Sequence, residues 1–485
     1  MSAISPRDAV WREELRKAHT AKERSAIPRA KMTELAPDYR VTCNEEVNQG
    51  LSREQAVLEA TRCLDCPDPQ CVTGCPVGIN IPGFIKNIER ENFGDAAIVL
   101  KETSALPAVC GRVCPQERQC ESKCIYNKMK KEPVAIGYLE RFAADTERLS
   151  GNSALPAREA ANGIKVAVVG SGPASLSFAG DMAKRGFEVH VYEALHEIGG
   201  VLKYGIPEFR LPNEVVDVEI RALEQMGVKF MTDCVVGKTI SYDDLLARDF
   251  KGVFVASGAG LPRFMGIPGE NYVGVMSSNE YLTRVNLMGA GRPGWSTPVI
   301  RGHRVAVIGG GNTAMDSCRT ARRMGAEEVY IVYRRSEAEM PARVEEVRHA
   351  KEEGVTFLTL HNPVEYLADE RGHVKAMRLQ RMELGEPDAS GRRSPVPVEG
   401  DVVTLDVDEV IVSVGVSPNP LIPNSIEGLE VTRRGTLAVN EETLQTSLPL
   451  LYAGGDIVRG GATVILAMGD GRKAAAAMAD ALLNK

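Results

Sequence analysis

Eight cysteines fall into two tight runs, Cys63-x2-Cys66-x4-Cys71-x3-Cys75-Pro76 and Cys110-x3-Cys114-Pro115-x4-Cys120-x3-Cys124. A [4Fe–4S] cube takes four thiolates, and each must arrive deprotonated. Short spacings let a turn present several sulfurs at low entropic cost. A run closed by Cys-Pro is typical of ferredoxin-type sequences, in which the last cysteine serves the other cluster. Two such runs together fit two clusters. Structural zinc would show two CxxC knuckles or Cys/His pairs across a longer loop. Only one CxxC is present, and no histidine lies within either run. Cys43, Cys234 and Cys318 stand alone and read as structural residues.

A second chemistry lies beyond the cysteines. Ile164 to Val169 is an apolar run leading into Gly170-x-Gly172-x-x-Ser175, then a helical stretch to Arg185 and a strand from Glu188 to Tyr192. Gly170 allows the tight turn. Gly172 lets backbone N–H groups approach a pyrophosphate at the helix N-terminus, where Pro173 and Ala174 open the helix. Ser175 replaces the third glycine and is small enough for helix–strand packing. Glu193 lies 23 residues after Gly170, where a carboxylate holds the adenosine ribose hydroxyls.

The pattern recurs at Arg304 to Ile308, then Gly309-x-Gly311-Asn312-Thr313-Ala314, a helix to Met324 and a strand from Glu328 to Tyr333. This strand ends in Arg334-Arg335. Guanidinium groups pair with a 2′-phosphate bidentately, so the second site is expected to take NADP(H). Further pieces fit a flavin. Glu197 to Leu202 is a Gly-rich turn carrying Gly200 and Leu202, and Leu451 to Asp456 ends a strand in Gly455-Asp456, whose carboxylate suits a ribityl hydroxyl. The Gly460 to Gly471 stretch, with Thr463 in it, opens a helix whose N-terminus can face the isoalloxazine. Val253 to Ala259 and Val410 to Gly415 read as buried strands ending in small residues.

These sites need a scaffold of more than one kind. The chain has 485 residues, enough for about three domains. Nine of eleven cysteines precede residue 125. Short helices are expected there: one opened by the capping box Ser52-Arg53-Glu54-Gln55, others over Ile81–Ile88, Asn92–Glu102 and Gly137–Arg148. Thr146 to Gly163 is small, polar and broken by Gly and Pro, a linker. Strand–Gly-turn–helix units come after it. The expected class is α/β: a helical Fe–S domain over 1–150 and two doubly wound, glutathione-reductase-type domains. The FAD domain is split over 160–295 and 405–485, and the NADPH domain is inserted at 296–404. With 58 basic against 65 acidic residues and 5% aromatics, neither nucleic acid nor an anionic membrane is an expected partner. No apolar run reaches the ~18 residues of a membrane span, and the first residues lack the apolar core of a signal peptide. A cytoplasmic protein is expected.

The sequence resembles the small subunit of NADPH-dependent glutamate synthase over nearly its whole length. The carriers are Cys63-Leu64-Asp65-Cys66 through Cys75-Pro76-Val77-Gly78, Cys110 to Pro115, Val168 to Ala174, Gly309 to Ala314 and Ala453 to Asp456. The same architecture occurs in the large subunit of the electron-bifurcating NADH-dependent ferredoxin:NADP oxidoreductase and in the N-terminal half of dihydropyrimidine dehydrogenase. Cys75 through Ile85 is similar to the transhydrogenase branch as well. The resemblance implies that Cys63, Cys66, Cys71 and Cys124 hold one cluster, while Cys75, Cys114 and Cys120 hold three irons of the other. It also implies a non-Cys fourth ligand sixteen residues after the last cysteine, in an Ile-Gly-x-Leu-x-x-Phe context. Here that residue is Glu140, within Ile136 to Phe142, with Cys110 as the alternative.

The resemblance thus implies an electron-input protein with NADPH, FAD, two [4Fe–4S] clusters, and a partner subunit in an oligomeric assembly. That partner is a larger glutamate synthase subunit or, in the transhydrogenase reading, a smaller flavoprotein. Neither an amide-hydrolysing nucleophile nor an FMN site for iminoglutarate reduction is apparent in the sequence. No acid–base catalyst is expected, because hydride transfer needs none. A nucleotide-binding redox sensor without turnover is the alternative of another class; reduction of its flavin by NADPH would eliminate it.

Overall fold

In the computed structural model, which describes residues 5–151, 154–389 and 391–484, the Cys-rich part is built from helices. Arg53–Thr61 starts where Ser52 Oγ accepts the Gln55 N–H and the Gln55 side chain accepts the Ser52 N–H, satisfying two donors the helix would otherwise leave bare. Ile81–Glu89 is buried along its whole length and forms the centre of this part. Its Lys86 is covered too, its ammonium donating to the Cys63 carbonyl at 2.6 Å and pairing with Glu89. Ile136–Ser150 ends at Gly151 in the left-handed region (φ 71°) and lies tightly against Pro107–Val113. A Cβ on Gly111 would stand 2.5 Å from the Arg141 nitrogen, so only glycine allows this approach.

The first nucleotide-type unit is a five-stranded parallel sheet with the order Leu451–Ala453, Phe250–Val255, Lys165–Val169, Glu188–Tyr192, Lys229–Met231. Its central strands Lys165–Val169 and Phe250–Val255 are mostly apolar and buried because helices cover both faces. The pairing of Pro173–Lys184 with Val464–Leu483 closes one face, and the apolar core there continues without a break into the helices of the Cys-rich part. The second unit has the order Val275–Ser277, Glu409–Val412, Arg304–Ile308, Glu328–Tyr333, Thr356–Thr359, again all parallel.

Two of these strands move the expected boundaries outward. Val275–Ser277 and Glu409–Val412 hydrogen-bond into the second sheet, not the first. Position along the chain cannot reveal this, since both are short apolar runs that either sheet could accept. The chain crosses between the units through the antiparallel pair Leu261–Pro262 and Val416–Ser417. A third, three-stranded antiparallel sheet of His361–Ala368, Val374–Pro387 and Arg393–Asp406 was not expected. Its two long strands run out as a largely solvated hairpin, and their polar alternation hides them in a sequence scan.

The second unit is fastened to the Cys-rich part by buried ions. Arg319 pairs with Glu353 at 2.8 Å and with Glu346 at 2.5 Å; Arg40, from the N-terminal segment, reaches Glu353 at 2.8 Å. Arg319 and Arg323 stack on Phe209 of the first unit. Removing one partner would strand a buried charge, at about 3–5 kcal/mol.

One buried carboxylate is under-compensated. Burial, with Asp408 beside it, pushes Glu409 up to about 7, against one hydrogen bond from the Gly302 N–H at 2.8 Å. The unfolded chain would release this proton near its ordinary value of 4.5. The folded state therefore binds the proton more tightly, and stability falls as pH rises from about 4.5 through 7. Glu409→Gln keeps the acceptor without the charge. The variant is expected to be more stable at pH 8 by about 1–3 kcal/mol, with the gain vanishing toward pH 5. Denaturant melts at the two pH values check this; an equal effect at both would refute it.

Candidate cofactor sites

The cysteines form two groups. Cys63 and Cys66 follow the helix Arg53–Thr61, Cys71 sits in the turn Gln70–Thr73, and Cys124 arrives from the second run. Burial first, and then Cys63, Cys124 and Cys66 around it, push the Cys71 thiol far up. All four are partly exposed. The inner group is Cys75, Cys114 and Cys120 with Glu140 among them. Burial pushes Cys75 up to about 11, with Glu140 and Cys114 as its ionisable neighbours. Cys120 is raised by burial, with Glu121, Glu140, Cys114 and Cys75 adding to it.

Glu140 projects from Ile136–Ser150 into this inner group and is buried. Burial, with Glu219 nearby, pushes its carboxyl up to about 8, and its Oε1 has no hydrogen-bond partner. A buried oxygen without a donor costs about 1–3 kcal/mol, so an iron ion is the kind of partner this atom lacks. Cys110 is close by but engaged: it is raised first by a hydrogen bond with Cys114 and then by burial, and its Sγ lies 3.4 Å from Met468 Sδ. Both donor sets, four thiols and three thiols with a carboxylate, fit the chemistry of a [4Fe–4S] cluster.

The inner group abuts the first nucleotide unit. Met468 belongs to the C-terminal helix Val464–Leu483, and a Cβ on the next residue, Gly469, would stand 3.0 Å from the Pro76 carbonyl oxygen. Thr463 caps that helix, accepting from the Leu466 N–H. Its first two turns thus lie between the inner group and the Gly-rich cradle.

In that cradle Gly170 (φ 94°) turns so close to the neighbouring strand that a Cβ would be 2.6 Å from the Ala256 oxygen. At Gly172 a Cβ would meet nothing within 4 Å: this is the open floor of the turn. Pro173 takes the first position of Pro173–Lys184, as its missing N–H allows, and Ala174 is buried beneath Gly455 and Gly471. Glu193 accepts from the Ser171 N–H at 2.9 Å, the Ser171 hydroxyl at 2.6 Å and the Leu195 N–H at 2.8 Å. Gly200 (φ 55°) closes against Gly172, whereas Leu202 points into the core. Asp456 accepts from the Ala462 N–H at 2.9 Å, and burial raises its pKa. Tyr204 joins the cradle without any motif to mark it. Burial pushes its hydroxyl up to about 12, with the nearby Asp456 and Glu193 carboxylates adding to the rise. It comes after a Gly-rich turn, but nothing in the sequence distinguishes it from a packing tyrosine.

In the second turn Gly309 (φ 138°) approaches the Ser413 carbonyl, where a Cβ would be 2.3 Å away, and Gly311 is open on the ligand side. Asn312 and Thr313 open the helix Asn312–Arg323, and Ala314 is buried against the sheet. Asn312 Oδ1 accepts the Arg343 N–H at 2.9 Å. The Arg343 guanidinium reaches the Arg112 carbonyl at 2.8 Å and Gln116 Oε1 at 2.9 Å, while Arg118 donates to the Met340, Pro341 and Ala342 carbonyls. The nucleotide turn is thereby joined to the loop between Cys114 and Cys120. These partners lie more than two hundred residues apart, and no local signal announces them.

The two arginines after Glu328–Tyr333 separate. Arg335 is buried and donates to the Arg393 carbonyl at 2.8 Å and to Asp388 at 2.6 Å, which pins the turn end of the long hairpin. Arg334 is exposed, and no side-chain hydrogen bond or ion pair engages it among the described residues.

Comparisons with known proteins agree with this arrangement. Residues 40–152 match the family described as dihydropyrimidine dehydrogenase domain II, 4Fe-4S cluster, and residues 164–477 match the pyridine nucleotide-disulphide oxidoreductases. The glutamate synthase [NADPH] small chain of Azospirillum brasilense is 38% identical over 89% of this chain and 90% of its own. The NADP(+)-dependent formate dehydrogenase subunit beta of Moorella thermoacetica is 40% identical over 84% of this chain, which spans only 59% of that protein. Mycobacterium tuberculosis FprA in complex with NADPH shares the fold at TM-score 0.55 and 21% identity, over 66% of this chain and 85% of FprA. Among the described residues no helix is long and apolar enough to cross a membrane. With a glycine-rich turn in each parallel sheet and the cysteines grouped in front of them, the chain belongs to the glutamate synthase small-chain family, an iron–sulfur module joined to a pyridine nucleotide-disulphide oxidoreductase.

Proposed function

We propose that this chain is the electron-input subunit of a glutamate synthase-type enzyme: it oxidises NADPH and delivers electrons to a larger partner subunit. When bound, a flavin supplies conversion of a two-electron hydride into single electrons, and two [4Fe–4S] clusters supply one-electron steps outward. The observation that carries the reading is the contact of Cys110 and Pro76 with Met468 and Gly469, on the helix that closes the flavin cradle.

The residues divide the work. Gly170, Gly172, Pro173, Ala174, Glu193, Gly200, Gly455, Asp456 and Thr463 would hold FAD, with Leu202 packing beneath. Gly309, Gly311, Asn312, Thr313 and Ala314 would hold the pyrophosphate of NADPH, with Arg334 on its 2′-phosphate and Arg335 fixing the strand end. Cys63, Cys66, Cys71 and Cys124 would hold the outer cluster; Cys75, Cys114, Cys120 and Glu140 would hold the inner one. The likeness to a formate dehydrogenase beta subunit favours a second reading of the partner alone, with the same electron path serving another oxidoreductase.

Anaerobic titration of the purified protein with NADPH and NADH, followed by flavin absorbance and EPR, tests the proposal. The expected result is bound flavin, two [4Fe–4S] clusters' worth of iron and sulfide, and reduction by NADPH well ahead of NADH. Zinc in place of iron, or no bound flavin, would overturn it.

A further inference from the structure

Electrons that reach the outer cysteine group must leave across the surface above it. In the inner group Cys114 and Cys120 are buried and only Cys75 is partly open, whereas all four of Cys63, Cys66, Cys71 and Cys124 are partly open, with the exposed Pro67 and Asp68 following Cys66 directly. The stretch that begins beside Cys124 has an unusual charge. From Lys123 to Lys131 there are four lysines and no carboxylate, in a chain whose net charge is −7.

The fold holds this stretch rigidly on the surface. Tyr126 is buried, and its hydroxyl donates to the Arg62 carbonyl at 2.6 Å, next to Cys63. Lys131 is tied back by a hydrogen bond to the Ser25 carbonyl at 2.6 Å. Between these anchors Lys128 and Lys130 are exposed, as is Lys123 on the other side of Cys124, and no side-chain hydrogen bond or ion pair engages any of the three among the described residues. Ile125 and Met129 stand among them, 36% and 41% exposed. Of the carboxylates flanking the stretch, Glu121 is paired with Arg29 and Asp68 accepts from Gln70, while Glu132 lies beyond Lys131 at its far end. Apolar side chains flanked by cations with no partner among the described residues, on the stretch that carries Cys124, suit the docking of a negatively charged protein.

We infer that this ridge, Lys123, Ile125, Lys128, Met129 and Lys130, is where an acidic one-electron carrier domain docks to collect electrons from the outer cluster. The inference rests on the electron-input reading and names the chemistry of its partner surface. Each NADPH, oxidised to NADP+ and a proton, would reduce two acceptor molecules by one electron each. Lysines serve such a face well, because long-range attraction speeds encounter while hydrated ammonium groups release the product readily.

The test uses the iron-loaded full chain with two acceptors. One is an acidic [2Fe–2S] ferredoxin as protein probe; the other is menadione, a small neutral quinone. NADPH-driven ferredoxin reduction is expected to slow steeply with added salt, as the Debye length shrinks to about 8 Å at 0.15 M. The triple variant Lys123→Glu, Lys128→Glu, Lys130→Glu is expected to raise the apparent KM for ferredoxin about tenfold or more and to flatten the salt dependence. Its iron content and menadione rate should stay unchanged. A Lys→Gln series at the same positions should give a smaller rise, which separates charge from fold damage. Native KM and salt slope in the iron-loaded triple variant would overturn the docking face. So would native protein that reduces menadione but not ferredoxin, and either result would leave electron input intact. Failure of native, iron-loaded protein to reduce menadione with NADPH would instead bring down the electron-input reading.

Discussion

Glu140→Ala protein is expected to purify with about half the iron of the native chain, while Cys110→Ser keeps all of it. The two residues compete for one role, and the structure gives them different environments. Cys110 already has company, a free thiol beside Cys114 and packed on Met468 in a continuous apolar core. Glu140 has a buried oxygen with nothing to accept from and three thiols around it. Burying a carboxylate without partners is costly, and with three thiols around it a cation is the partner that would relieve the cost here. Removing it should leave three ligands and an open iron, so that the inner cluster is lost or degrades while the outer one persists. Iron and sulfide analysis, with EPR of the reduced protein, reads this directly. Glu140→Gln keeps the shape but not the ionic ligand and should behave as the alanine variant does. Glu140→Cys should restore the iron with an altered EPR signal and potential. Full iron and a native spectrum in Glu140→Ala, with half the iron in Cys110→Ser, would reverse the assignment.

The two kinds of site were not equally legible in the sequence. The glycine turns were, because their chemistry is local: a strand, a turn with positive φ at Gly170 and Gly309, and a helix N-terminus occupy one short stretch, and the elements stand where the spacing puts them. The helix starts were legible for the same reason, as the Ser52 capping box shows. Contacts made across the chain were not. Arg343 bridges Asn312 to Gln116, and Arg40 reaches Glu353, through pairs that have no spacing to detect. Tyr204 likewise acquires its place beside Asp456 and Glu193 only when the chain folds. Strands Val275–Ser277 and Glu409–Val412 carried the right apolar pattern but no mark of which sheet would take them. The arginine pair falls between these cases. Its position at a strand end was readable, but the long hairpin that captures one of the two was not.

That capture sets the last expectation. Arg335 is held by Asp388 and the Arg393 carbonyl, so its guanidinium is committed to the hairpin. Arg334, its exposed chain neighbour, has no side-chain partner among the described residues and would, on the proposed assignment, meet the 2′-phosphate. A charge-assisted, bidentate pair of this kind contributes about 1.5–3 kcal/mol. Arg334→Ala should therefore lower kcat/KM for NADPH by about 10–100-fold and leave NADH turnover nearly unchanged. Arg334→Asp should go further: its carboxylate repels the phosphate and can accept from a ribose hydroxyl, which shifts preference toward NADH. Arg335→Ala should act differently, lowering thermal stability through the hairpin and reducing NADPH and NADH use alike. Steady-state kinetics with both nucleotides, set beside melting curves, separates the two arginines. If Arg335→Ala alone abolished the preference for NADPH, the hairpin would have to open in the complex, and the division of labour between the pair would be the reverse of this one.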